Sequence, residues 1–131
     1  MAANQLPVFP LAPVIGQASS IALSTAFTTV SGTGTNTAIT AATTEGLRVD
    51  AIRVTCSATS AAALVLLFIY DGTNQMYFDS IPVAAVTAST TVAPFSAVKY
   101  YSELVLPPNY RIFACTTINQ NTNCFVHGGS L

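Results

Sequence analysis

The stretch LRVDAIRVTC at residues 47–56 decides the fold class, because its apolar residues alternate with polar or charged ones. Such alternation is typical of a β-strand with one buried and one exposed face. The apolar phase shifts by one residue at Ala51-Ile52, which a regular strand with one buried face does not allow. We therefore predict a β-bulge here, or a strand that passes from one sheet to another.

Turn signals divide the rest of the chain into short strands. The apolar run at residues 61–70 is followed by Asp71-Gly72-Thr73-Asn74, which predicts a hairpin with a return strand at 75–83. Pro82 should end that strand or place it at a sheet edge. Further strands are predicted at 26–30, 37–40, 99–106, 110–117 and 124–127. About eight strands and a long crossover at 84–96 predict an all-β, antiparallel β-sandwich of jelly-roll or Greek-key type.

The composition agrees with this fold class and points to protein contacts. The 131 residues fit one domain, and Thr, Ser and Asn supply most of the polarity. Charged residues make up 7% of the chain, whereas soluble domains average about 25%. So few charges protect a free monomer poorly against association. We therefore expect much of the surface to meet other protein.

The N-terminal region differs from the rest, and we divide the chain into an arm at residues 1–22 and a sandwich domain at 23–131. Prolines recur at every third position from Pro7 to Pro13, which favours an extended, polyproline-like arm. The arm is too apolar for a disordered linker, so it should lie on a surface, either of its own domain or of a neighbour. Its predicted interface residues are Leu6, Val8, Phe9, Leu11, Val14 and Ile15.

Several partners and cofactors are not expected. The net charge is −1 and no basic patch exists, which argues against nucleic acid. The longest apolar run, 61–70, is about half of what a membrane-spanning helix needs, and the N-terminus does not resemble a signal peptide. Cys56, Cys115 and Cys124 have no metal-binding spacing and should be small buried residues. A disulfide between Cys115 and Cys124 stays open, and we predict no metal and no cofactor.

No catalytic constellation is visible in the sequence. The only histidine, His127, precedes two glycines and is interpreted as an edge or surface residue. Asp50 and Asp79 alternate with apolar residues, so we expect them on exposed strand faces, where Arg48 and Arg53 could pair with carboxylates. We predict a protein that is not an enzyme and has no catalytic residues.

Three tyrosines are the remaining candidates for a binding surface. Tyr77, Tyr100 and Tyr101 could form an aromatic platform of the kind that binds carbohydrate. Alternatively, they pack at a sheet edge or an interface, with the hydroxyl groups in water. We favour the second interpretation.

Four segments, at residues 45–54, 67–74, 81–83 and 104–112, resemble a family of tailed-bacteriophage virion proteins in their order and spacing. That family consists of capsid decoration (cement) or minor structural proteins. The resemblance implies a jelly-roll-like sandwich and a homotrimer at capsomer junctions on the outer capsid surface. It implies as partner the major capsid protein or another virion protein, with assembly in the host cytoplasm. The alternative function is a tail- or fibre-associated module that recognises host surface glycans.

Overall fold

The computed structural model describes residues 12–18, 37–41, 43–118 and 120–131. Within these ranges the chain forms β-strands and no helix, which confirms the all-β prediction. The strands are β1 (Ala12–Ala18), β2 (Thr37–Ala38), β3 (Leu47–Cys56), β4 (Ala63–Tyr70), β5 (Gln75–Val83), β6 (Ser96–Leu106), β7 (Arg111–Thr116) and β8 (Thr122–Ser130).

The strands form two antiparallel sheets. The first sheet has the order β1-β8-β3-β6 and the second has the order β2-β7-β4-β5, in which β2 contributes only two residues. Strands 1 and 8, 2 and 7, 3 and 6, and 4 and 5 are therefore neighbours. This is the pattern of one long hairpin rolled into a sandwich, which is the jelly-roll arrangement. The predicted antiparallel sandwich is confirmed.

Strand β3 carries the bulge that the sequence predicted. It pairs with β6 on one side and β8 on the other, and both registers shift between Val49 and Ala51. Against β8, Asp50 is the extra residue, whereas against β6 it lies opposite three residues, 101–103. Val49 before the bulge and Ile52 after it both point into the core. The bulge thus keeps one face buried across the phase shift, and β3 stays in one sheet.

Strand β8 is longer than the sequence suggested. The predicted strand ended at His127, but β8 continues through Gly128 and Gly129 to Ser130. The glycines fit because the bulge brings the β3 backbone close, and a Cβ on Gly128 would overlap the carbonyl of Arg48. The two glycines therefore belong to a central strand, and they were wrongly read as its end.

The core lies between the two sheets and draws on both of them. Its largest fully buried members include Leu47 and Ile52 from the first sheet and Val65 and Leu67 from the second. A second, smaller cluster consists of Leu66, Phe68 and Cys115, with Phe113 packed against it. These residues alternate with core residues along β4 and β7, so they lie on the outer side of the second sheet.

Part of the predicted arm belongs to the sandwich. Strand β1 is an edge strand of the first sheet and pairs with β8 from Ala12 opposite Ser130 to Ala18 opposite Cys124. Residues 12–18 therefore lie on their own domain. Residues 1–11, the predicted strand at 26–30 and the predicted boundary at 22/23 lie outside the described residues.

The hairpins follow the turn chemistry of the sequence. Asp71 accepts backbone hydrogen bonds from Thr73 and Asn74 in the β4–β5 turn. Strand β5 is an edge strand, as Pro82 predicted. In the β6–β7 turn, Asn109 adopts a φ of 68°, a left-handed conformation that Asn tolerates.

Candidate interaction surfaces

The outer side of the second sheet is apolar but already covered. Leu66 is 5% exposed, and Phe68 and Cys115 are not exposed at all. Tyr77 packs edge-on against Phe68, and the guanidinium of Arg111 lies 5.3 Å from the centre of the Phe113 ring. Around the cluster, Leu64 is 38% and Tyr77 40% exposed. The cluster is therefore closed within the single chain and offers little free surface.

The outer side of the first sheet is open and carries both polar and apolar residues. Register places Tyr100 and His127 on either side of Ala51, and Val98 and Phe125 on either side of Arg53. We call these six residues the Tyr100–Arg53 patch. Tyr100 is 75% exposed, and Arg53 and His127 are also exposed. Ala51 is small and buried, and it lies between the two larger residues Tyr100 and His127.

Charges next to the patch are paired at the bulge. Arg48 Nε lies 3.0 Å from Asp50 Oδ1, and both side chains are partly exposed. Surface pairs of this kind contribute about 0–1 kcal/mol. Arg53, by contrast, donates from Nη1 to the hydroxyl of Ser96 at 3.1 Å. The predicted pairing of a β3 arginine with a carboxylate is confirmed for Arg48, whereas Arg53 bonds to a hydroxyl.

A polar clasp joins the edges of the two sheets. The carboxylate of Asp79 on β5 accepts hydrogen bonds from Lys99 Nζ at 2.7 Å and from the Tyr101 hydroxyl at 2.8 Å, both on β6. The backbone amide of Ser80 donates a third bond to the same carboxylate. Asp79 is opposite the core residue Leu67, and its side chain is only 22% exposed. The prediction that Asp79 lies on an exposed face was wrong, because a bulge at Phe78 turns it inward.

The clasp changes the acidity of its members. Burial would raise the pKa of Asp79, but the hydrogen bonds from Lys99, Tyr101 and the Ser80 amide outweigh burial and hold that pKa below its usual value. Burial raises the pKa of Tyr101, and the neighbouring Asp79 carboxylate raises it further. Both groups therefore keep one protonation state across the neutral range. The clasp is a structural link between sheets.

The three predicted tyrosines do not form one platform. Tyr77 lies on the outer side of the second sheet, Tyr100 on the outer side of the first, and Tyr101 in the clasp between the sheet edges. The arm residues Leu6, Val8, Phe9 and Leu11 lie outside the described residues. Val14 and Ile15 lie in β1, but their side chains are not described.

The cysteines are not joined by a disulfide. Cys56, Cys115 and Cys124 are buried thiols, in line with the interpretation as small buried residues. Strands β7 and β8 belong to different sheets, so Cys115 faces the outer cluster and Cys124 the core. Burial, and to a smaller extent Cys56, raises the pKa of Cys124 to about 12.

The ranges that the structure describes contain no group of three or more His, Cys, Asp or Glu side chains that could hold a metal ion. No helix in these ranges is long and apolar enough to cross a membrane. The absence of catalytic residues and of cofactors stays a prediction from the sequence.

Most of the patch could not be predicted from the sequence. Arg53 stands out there only as a charge and His127 only as a lone histidine, and the local pattern does not mark Ala51 or Phe125 as surface residues. What brings them together is the register between β3, β6 and β8, which one sequence does not reveal. The alternation at residues 47–56 did carry one signal, since it placed Arg53 on the exposed face.

The fold and these surfaces define a jelly-roll β-sandwich with one open outer face. Comparison with protein-family models, curated proteins and solved structures gave no match. The relation to phage decoration proteins therefore stays a prediction based on resemblance.

Proposed function

We propose that the protein is a structural virion protein that decorates the outer surface of a phage capsid and stabilises it by binding across neighbouring capsomers. The observation that carries the proposal is the jelly-roll order of the described strands in the two sheets. This architecture recurs in viral capsid and lectin domains. Because a fold supports many functions, the proposal also needs support from the surface.

The surface supports a role in protein packing. Seven large hydrophobic side chains are exposed in the described part of the chain, among them Met76, Val92 and Val105. Only nine residues of the whole chain are charged, four basic and five acidic. A cement protein performs no reaction and acts by burying surface on several subunits at once, since multivalent contact multiplies modest affinities. A homotrimer would provide three such contacts and cover part of the apolar surface.

The test combines oligomeric state with particle binding. The purified chain should sediment as a homotrimer in analytical ultracentrifugation and should co-sediment with expanded capsids of the phage that encodes it. Binding should saturate at a fixed number of copies per capsid. A monodisperse monomer that stays in the supernatant would contradict the proposal.

The second candidate, a glycan-binding tail or fibre module, is favoured by the exposure of Tyr100. Carbohydrate-binding sandwiches use exposed aromatic rings, and Tyr100 is 75% exposed on a strand. A glycan array that gives a signal with the native chain and none with Tyr100→Thr would support this candidate. An array with no signal would leave the capsid proposal as the stronger one.

A further inference from the structure

We propose that the Tyr100–Arg53 patch is the docking surface for a partner protein that presents a carboxylate side chain, with Arg53 as the cation and Tyr100 as the aromatic anchor. The inference deepens the proposed function, on which it rests for the nature of the partner. It specifies which face of the sandwich meets that partner.

The charge balance of the chain singles out Arg53. Of the four basic residues, Arg48 pairs with Asp50, Lys99 pairs with Asp79, and Arg111 lies over the Phe113 ring. Arg53 bonds only to the neutral Ser96 hydroxyl, so among the described residues it is the one cation with neither an anionic nor an aromatic partner. An exposed guanidinium matches the planar geometry of a carboxylate.

The patch is held in place by regular backbone structure. Arg53 lies on β3, which is hydrogen-bonded on both sides, and Tyr100 lies on the neighbouring strand β6. Ala51 opposes Tyr100 and Arg53 opposes Val98, so Tyr100 and Arg53 are diagonal neighbours on one face, within reach of the same ligand group. A backbone that is already ordered in a sheet loses little further freedom on binding, which favours affinity.

The composition and shape of the patch fit a protein surface. Tyr and Arg are, with Trp, enriched among the residues that dominate binding energy at protein interfaces. Phe125 and Val98 flank Arg53 and could exclude water from an ion pair. The residues stand side by side on the outer face of a sheet, whereas small-molecule sites are concave and enclose most of their ligand.

The test measures binding of fluorescently labelled poly-L-glutamate to the protein. Binding is followed by fluorescence anisotropy at low ionic strength. The whole chain has a net charge of −1, so binding of a polyanion is not expected from net charge alone. We expect Arg53→Gln to weaken binding by about three- to five-fold per contact, which is the upper range for an exposed charge pair. Tyr100→Thr, which keeps a β-branched residue in the strand, should also weaken it.

The matched control is Arg111→Gln, which removes the same charge from the opposite sheet and should leave poly-L-glutamate binding unchanged. Absence of binding by the native chain, or equal binding by Arg53→Gln, would overturn the inference. Polygalacturonate serves as a carboxylate-bearing polysaccharide: if it binds as tightly as poly-L-glutamate and depends on Arg53, the patch is a glycan site and the protein assignment is wrong.

The capsid assay separates this inference from the proposed function. If Arg53→Gln and Tyr100→Thr still co-sediment with capsids as the native chain does, the docking surface is assigned to the wrong face while the proposed function stands. If the native chain itself does not bind capsids but binds poly-L-glutamate through Arg53, the proposed function fails and the patch stands.

Discussion

The outer sides of the two sheets differ in both chemistry and exposure. On the second sheet, Leu66, Phe68 and Cys115 are apolar and buried, although they face away from the core between the sheets. On the first sheet, Arg53 and Tyr100 point outward and are exposed. Apolar composition therefore does not by itself mark a free surface. The apolar cluster on the second sheet is closed within the chain, whereas the outer side of the first sheet exposes Arg53 and Tyr100.

Thiol labelling should give the largest effect, because a buried thiol reacts only when the structure opens. We expect Cys115 to react with a disulfide reagent at least about a thousand-fold more slowly in the native than in the unfolded protein. Peptide mass spectrometry identifies the labelled cysteine. The internal reference is Cys124, which lies in the core between the sheets and should react as slowly. Much faster labelling of Cys115 would show that the outer side of the second sheet opens by itself.

Phe68→Ala tests whether the outer cluster contributes to stability. Phe68 is fully buried, so its removal should lower the free energy of unfolding by about 3–5 kcal/mol, as in a true core. Urea unfolding measures the change. Tyr77→Ala is the matched control, because Tyr77 contacts Phe68 but is 40% exposed and should cost clearly less. A loss below about 1 kcal/mol for Phe68→Ala would mean that the cluster is not part of the folding unit.

Strands β3 and β4 show how far the sequence could predict this difference. In β3 the alternation of apolar and charged residues gave the strand, the bulge and an exposed Arg53. In β4 the absence of alternation follows from burial on both sides of the sheet. The strand was therefore predictable from local pattern and turn residues. What covers its outer side was not, because that depends on contacts distant in sequence.

The clasp and the patch both depend on contacts that the local sequence pattern does not show. Asp79 was expected in water because it alternates with apolar residues, but the Phe78 bulge reverses its direction and brings it to Lys99 and Tyr101. A bulge in an edge strand has no clear sequence signature. Likewise, Tyr100 and Arg53 are 47 positions apart and meet only through the register of β3 and β6.

Asp79→Asn should remove a pH-dependent contribution to stability at the sheet edges. The folded-state pKa of Asp79 is lowered, so its contribution is present above the unfolded value near 4 and is lost as pH falls through the folded value. At neutral pH the substitution should cost about 1–2 kcal/mol, because a charged acceptor becomes neutral. Thermal unfolding between neutral and strongly acid pH measures this.

Stability measured at acid pH provides the control for the Asp79 clasp. The stability difference between native chain and Asp79→Asn should shrink as the pH falls below about 4, since protonation of Asp79 removes the same charge. Asp71→Asn is the comparison variant. The backbone amides of Asn74 and Thr73 also lower the pKa of the native Asp71, but Asp71 lies in an exposed turn away from the sheet edges. A difference for Asp79→Asn that stays constant with pH would argue against an ionised clasp.

Tyr100→Thr should have the smallest effect on folding, and that small effect is what gives its binding phenotype meaning. The ring is 75% exposed and Thr retains the strand preference, so we expect the free energy of unfolding to change by at most about 0.5 kcal/mol. Urea unfolding of this variant beside Phe68→Ala compares the two outer sides directly. A loss above about 1 kcal/mol would show that the ring packs as part of the fold. In that case weaker binding by Tyr100→Thr would reflect lost stability. Only the binding of Arg53→Gln would then test the docking surface.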